Sequence, residues 1–247
     1  AYAVTSAGVS ANAQWKAADT IPAESARRIV YRSPMDGNAR LFLRTSMNTS
    51  PDWANFGSNN AERRAQVSYL RGDRSGEIRN GGTLRNRSAT TVLGDISHSS
   101  PAFVNDSGVA TDPGTVFIGS NDGMLHAFNA ATGAERFAYI PSAVMPTTNS
   151  ASSGIRALAQ VTYNDQHKYF VDGDIAVSGR NQLNNKNYLV GTLGRGGKGL
   201  FTLDVTNPDS FSPSEALWES FSDPDMGHIL GRPVIAQMET GDWAVIV

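Results

Sequence analysis

Four features of this chain have the residue types and spacing that chemistry needs: four histidines, two paired-acid turns, a glycine-rich basic stretch and one Arg-Gly-Asp tripeptide. His98, His126, His167 and His228 stand in unlike contexts, with no H-E-x-x-H spacing for zinc and no G-x-S-x-G elbow for an activated serine. His126 falls inside an alternating strand, where it lines a channel or packs in the sheet; packing is the expectation. Asp172-Gly173-Asp174 and Asp223-Pro224-Asp225 carry hard oxygen ligands of the kind calcium takes, but neither continues into the Asp/Asn run and distal Glu of a calcium loop. Both read as turns whose carboxylates cap backbone N–H groups. Gly194 to Gly199 spells G-x-G-x-x-G, yet the next residues, Leu200 to Val205, alternate as a strand where a phosphate cradle requires a helix. A flexible basic hairpin turn is the reading there.

Arg71-Gly72-Asp73 sets a guanidinium and a carboxylate at opposed ends of a turn, the pattern that integrins recognise. As a receptor-binding set, Arg71, Gly72 and Asp73 require both charged side chains to be exposed. The competing reading gives Gly72 the job of ending a helix and leaves the two charges to their neighbours. No catalytic residue and no metal ligand is assigned.

Composition narrows the function classes. With 21 basic and 23 acidic residues the formal charge is -2, which gives no electrostatic case for nucleic acid or an anionic membrane as the main partner. The arginines between Arg63 and Arg87 are interleaved with Glu62, Asp73 and Glu77 and read as a solvated mixed-charge surface. Zero cysteines remove disulfides, thiolate catalysis and cysteine-based metal sites. No run of about 18 apolar residues exists to make a membrane-spanning helix. The first residues lack a charged region followed by an apolar core, so a signal peptide is expected to be absent or already removed.

The elements that must position these residues are short strands. Val116 to Phe128 reads VFIGSNDGMLHAF, two apolar stretches joined by Asn121-Asp122-Gly123, with Thr132-Gly133 at the following turn and Phe137 opening an outer strand. The same grammar recurs when Ile118-Gly119-Ser120 is set against Val190-Gly191-Thr192. Leu125-His126-Ala127-Phe128-Asn129 then falls over Leu200-Phe201-Thr202-Leu203-Asp204, and Phe137 over Trp218. A third copy starts at Arg232-Pro233-Val234 and runs through Trp243 to Val247. The fold class expected is all-β, a β-propeller, with a lead-in segment over 1–92 and blades over 93–247, two nearly complete and one partial. Since a ring closes with roughly 4 to 8 blades, only part of it is expected here.

Within the lead-in, Ala1 to Ile21 reads as extended or poorly ordered, and Arg28 to Ser46 as a hairpin turning at Asp36-Gly37 that adds an outer element to a blade. Asn59 to Leu70 has helical spacing with an Asn cap and Gly72 as its stop. Asp73 to Thr91 reads as a surface loop, and Pro141 to Ser153 as an inter-blade loop. The second blade reads as expanded, with strands at 160–163, 168–171, 175–177, 188–191 and 199–205.

Taken together, Tyr69-Leu70-Arg71-Gly72-Asp73-Arg74-Ser75, Leu93-Gly94-Asp95-Ile96-Ser97-His98-Ser99-Ser100-Pro101 and VFIGSNDGMLHAFNAATGAE resemble the C-terminal domain of the PilC/PilY family of type IV pilus biogenesis factors and tip adhesins. Gly191 to Gly197, Leu203 to Thr206, Asp223 to Gly227 and Leu230 to Pro233 extend the resemblance, which covers about 69–247. It implies a modified seven-bladed, quinoprotein-like propeller and a non-enzymatic role in pilus assembly, twitching motility and adhesion. It also implies an exported protein at the bacterial surface, pilus tip or outer membrane, with minor pilins, other assembly proteins, or host and abiotic surfaces as partners. Calcium is implied through an Asp-rich loop of a later blade, which is not found among these residues. The blade grammar also resembles quinoprotein dehydrogenases that hold pyrroloquinoline quinone beside calcium, and a periplasmic scaffold propeller is a third reading.

Overall fold

The computed structural model describes residues 1–6, 8–105, 111–221 and 223–247. The chain opens with a hairpin of β1 (Tyr2–Thr5) and β2 (Gly8–Ala13), so its first residues are extended and paired with one another. Trp15 then pins the hairpin to the body: its indole N–H donates to the Ala130 carbonyl at 2.8 Å and its ring lies against Phe128.

A six-stranded sheet follows, in the order β4-β3-β8-β7-β6-β5. Its strands are β3 (Ile29–Arg32), β4 (Ala39–Leu41), β5 (Ala102–Val104), β6 (Thr115–Ser120), β7 (Met124–Asn129) and β8 (Glu135–Ile140). The four strands β5 to β8 form the expected blade. The hairpin β3–β4 joins it through a parallel pairing of Ile29, Val30 and Tyr31 with Ala138, Tyr139 and Ile140, so the outer element read from the sequence is present. The Asn121-Asp122-Gly123 turn links β6 to β7 with Ser120 opposite Met124. Gly123 has φ +89, and a side chain there would also run into Ile155. Glycine meets both demands.

The second sheet runs β12-β11-β10-β9, with β9 (Ile175–Val177), β10 (Tyr188–Thr192), β11 (Leu200–Asp204) and β12 (Ala216–Ser220). Its outer pairing repeats the first blade in the expected register: Thr202 faces Trp218 as Ala127 faces Phe137, and a bulge follows at the same place in each. The inner pairs are offset by one residue, which the longer 193–199 turn absorbs. A third hairpin, β13 (Val234–Gln237) with β14 (Trp243–Ile246), repeats β5 and β6.

Two expected strands are absent. Gln160 joins two 3-10 segments, Gly154–Ala159 and Val161–Asp165, the second of which takes in 161–163, and 168–171 is irregular. Ile155, Leu158, Ala159 and Tyr163 are all buried, a spacing of three to four that suits tight helical turns packed on the blade rather than a sheet.

The helix Asn60–Arg71 forms as its ends dictate. The Asn59 side chain accepts from the Glu62 N–H at 3.0 Å, and Gly72 takes φ +117. The core lies between the two sheets and under this helix. Phe137 stacks on Phe211 with centroids 3.8 Å apart, Tyr139 tilts onto Phe201, and the Tyr139 hydroxyl donates to Glu219 at 2.6 Å.

The glycine-rich turn packs closely against its neighbours at Gly194, Gly196 and Gly199. A 3-10 segment, Gly194–Gly196, leads to β11, so no helix N-terminus is offered to a dinucleotide. A Cβ on Gly196 would sit 1.8 Å from the Phe170 carbonyl oxygen, whereas nothing lies within 4 Å of one on Gly227. Gly196→Ala is therefore expected to lower the free energy of unfolding by about 3 kcal/mol, at the upper end of overpacking costs, because the obstacle is backbone. Gly227→Ala should stay within about 0.5 kcal/mol, as ordinary surface changes do. Urea midpoints of the two variants check the contrast.

Candidate functional site

Two groups of polar residues stand out, one closed and one open. The closed group is a seam of charges through the first blade. Arg27, 5% exposed, makes a forked pair with Glu135: Nε to Oε2 at 2.7 Å and Nη2 to Oε1 at 2.8 Å. Glu135 Oε1 also lies 2.8 Å from Nδ1 of His126, whose Nε2 lies 3.1 Å from both oxygens of Asp122. Asp122 in turn accepts from the Gly94 N–H. His126 is fully buried and stacks on Phe128, so the expected packing in the sheet is what occurs, with ionic partners on both sides.

The charges in this seam settle one another. Burial alone would lower the His126 pKa, but the carboxylates of Asp122 and Glu135 outweigh it and raise it to about 9. Burial would raise Glu135, but the Arg27 guanidinium and the His126 ring bring it down to about 2. Two cations therefore face two anions at neutral pH. A histidine held protonated between two carboxylates has no lone pair for a proton or a metal, so the seam is built for cohesion.

Arg71 extends the seam toward the N-terminal segment. Its guanidinium is 1% exposed and donates to the carbonyls of Phe42, Glu24 and Arg27, while Nε meets the Glu24 carboxylate at 2.9 Å. Arg27 Nη1 returns a bond to the Arg71 carbonyl at 3.0 Å. Asp73 points elsewhere, accepting from the N–H and hydroxyl of Ser75. The exposure that a receptor contact needs is thus met only in part by Asp73 and not by Arg71. The neighbouring arginines are also less solvated than their composition implies: Glu77 is completely buried and pairs with Arg74, Arg79 and Arg87.

The acid turns bind protein, not each other. Asp172 is buried and accepts from the His98 N–H at 3.2 Å and faces its Nδ1 at 2.7 Å; Asp174 accepts from the Ser100 N–H. They tie the 96–100 segment to the second blade. Asp223 caps the Asp225 N–H, as read from the sequence. Among the described residues no group of three or more His, Asp or Glu is arranged to hold a metal.

The open group surrounds a cavity of about 190 Å³ beside the Asn121-Asp122 turn. Val92, Leu93 and Leu158 give it apolar wall, and Arg85, Asp95, Asn164 and His167 give it polar edge. The Arg85 guanidinium carbon lies over the Tyr163 ring, 4.8 Å from its centroid, with Nε bonded to the Leu158 carbonyl. Asp95 is held by the Asn121 amide at 2.8 Å and by His167 at 3.2 Å. From Tyr163 a ladder of rings leads outward: His167 at 5.8 Å, Tyr169 at 5.2 Å beyond it, and His98 at 5.6 Å beyond that. In the sequence these histidines stand in unlike contexts, and the repeated aromatic residues in Tyr163-Asn164-Asp165-Gln166-His167-Lys168-Tyr169 are its one sign of the ladder.

Comparison with known proteins follows the same residues. A model of the PilY1 beta-propeller domain matches residues 89–247. The chain belongs to the PilY1 β-propeller family. A type IV pilus biogenesis factor PilY1 homolog of Xylella fastidiosa is 39% identical over 74% of this chain. The type IV pilus biogenesis factor PilY1 of Pseudomonas aeruginosa strain UCBPP-PA14 is 36% identical over 98% of it. The chain spans 16% of the first of these relatives and 22% of the second. The crystal structure of the Pseudomonas aeruginosa PilY1 C-terminal domain shares 34% identity over 55% of this chain and 24% of that one, with a TM-score of 0.37.

The PilY1 propeller region and the residues before it are physically continuous. Glu135 and His126 lie within the matched residues, whereas Arg27 and Arg71 lie ahead of them, and the first sheet takes strands from both sides. The likeness over 98% of the chain agrees with that continuity. No helix of the described residues is long and apolar enough to cross a membrane.

Proposed function

We propose that this chain is part of the propeller of a non-enzymatic type IV pilus biogenesis factor, and that it works by binding. The observation that carries the reading is the division of its polar residues. Charged groups inside the blade are consumed by one another, while the loops at the hairpin end of the first blade leave an open polar cavity and a ring ladder whose histidines are exposed. Loops on a rigid scaffold are where recognition resides. The names of its relatives support a place in pilus assembly, at the bacterial surface after export.

In this reading the loop face meets minor pilins or other assembly proteins, and at the pilus tip it serves as an adhesin toward host or abiotic surfaces. Deleting the gene should abolish surface pili and twitching, and restoring it should return both. Piliation equal to the parent strain would remove the assembly role. The quinoprotein alternative is tested by dye-linked alcohol oxidation with added quinone and calcium, where turnover would overturn the non-enzymatic reading.

A further inference from the structure

We infer that the cavity beside the Asn121-Asp122 turn, with the ring ladder at its mouth, is a binding site for a neutral oligosaccharide. The inference rests on reading this face as the contact surface, and it names the ligand class.

Charge decides the class first. Of the ionic groups at the cavity, Arg87 is paired at 2.8 Å with the buried Glu77 and Asp122 is spent on His126 and the Gly94 N–H. Arg85, bonded to the Leu158 carbonyl and the Asn164 amide oxygen, and Asp95, held by Asn121 and His167, add one charge of each sign at the rim, so neither an anion nor a cation is favoured. A ligand that both donates and accepts at short intervals satisfies the pair, together with the Asn164 amide and the Ser88 hydroxyl. Hydroxyl groups on a ring do this.

Size and shape decide the rest. At about 190 Å³ the cavity lies below the ~300 Å³ where drug-sized sites begin, so it holds one small unit. Its apolar wall of Val92, Leu93 and Leu158 suits the C–H face of a sugar ring, while the polar edge meets the hydroxyls. Beyond the cavity the ladder continues through His167, Tyr169 and His98, and the His98 and His167 side chains are 43% and 39% exposed. Both rings are fixed by carboxylates, His98 by Asp172 and His167 by Asp95, so their faces are preorganised. Successive planes stand 79° and 66° apart, so a second and third sugar would each meet one ring at its own angle, every ring being an amphipathic surface of apolar body and polar rim.

The test uses the purified full chain, with chitotriose, cellotriose, maltotriose and lactose as probes in saturation-transfer NMR and calorimetry. At least one probe should bind, and Tyr169→Ala and Asp95→Asn should each weaken it at least tenfold with thermal midpoints within a few degrees of the parent. Arg85→Lys, which keeps the charge but loses the planar stack, should do the same and serves where Asp95→Asn fails to fold. No transfer from any of the four probes, or binding untouched by these variants, overturns the inference. Surface attachment measured in parallel separates the two readings. Attachment lost in Tyr169→Ala with no saccharide bound by the parent leaves adhesion standing and removes the sugar site. Sugar binding with attachment unchanged in that variant sustains the site and removes adhesion through this face.

Discussion

Glu135→Gln is expected to cost about 3–5 kcal/mol of stability, the range for removing one partner of a buried ion pair. The substitution keeps the volume and removes one negative charge from a seam in which Arg27 and His126 are balanced by Glu135 and Asp122. It leaves two buried cations facing one anion. The seam relieves the imbalance by releasing the His126 proton, so the variant should show His126 titrating well below the value of about 9 that the intact seam imposes. A urea midpoint and the His126 ring resonances measure the two effects separately. A loss under 1 kcal/mol with an unmoved His126 titration would refute the seam as a source of cohesion.

The same seam sets a pH window whose two edges have opposite signs. His126 has a folded pKa raised from 6.5 to about 9, so its contribution is complete below about 6.5 and is lost as pH rises through about 9. Glu135 has a folded pKa lowered from 4.5 to about 2, so its contribution is complete above about 4.5 and is lost as pH falls through about 2. The two contributions are therefore complete together between about pH 4.5 and 6.5, and the His126 part declines from there until it is lost near 9. In His126→Leu the alkaline edge near 9 should disappear from the stability profile, while the acid edge persists through Arg27 and Glu135.

Much of the architecture was legible because it rests on local chemistry. Asn59 and Gly72 bracket the helix by capping its first N–H groups and by taking φ +117, and Asp122-Gly123 makes a turn for similarly local reasons. What stayed hidden depends on distant partners. Glu77 sits in a polar, arginine-rich stretch that composition reads as solvated, yet it is completely buried because three arginines converge on it. His126 carries a charge inside an apolar strand; its own partners, Asp122 and Glu135, are 4 and 9 positions away, but Arg27, which balances Glu135, is 108 positions from it. The open cavity was hidden for the same reason, since Asp95 and His167 meet across 72 positions. One local sign was available: a strand reading M-L-H-A-F that begins two residues after an aspartate asks where the charges go.

Arg71→Ala is expected to be comparably damaging, and the comparison with Asp73 separates structure from recognition in the Arg-Gly-Asp tripeptide. Removing the guanidinium strips donors from the carbonyls of Phe42, Glu24 and Arg27 and leaves the Glu24 carboxylate unpaired. Buried acceptors left unmade cost about 1–3 kcal/mol each at most, so a total loss of roughly 3–5 kcal/mol is expected after relaxation. Arg71→Lys should recover only part of it, because an ammonium cannot span several carbonyls as the planar fork does. Asp73→Ala removes only contacts to Ser75, two residues away, and should cost about 1 kcal/mol or less. Receptor recognition through the tripeptide predicts a different pattern: both variants would lose adhesion equally while remaining equally folded. Measured side by side, urea midpoints and cell attachment tell these apart, because a structural arginine loses attachment only in proportion to unfolding, and Asp73→Ala keeps both.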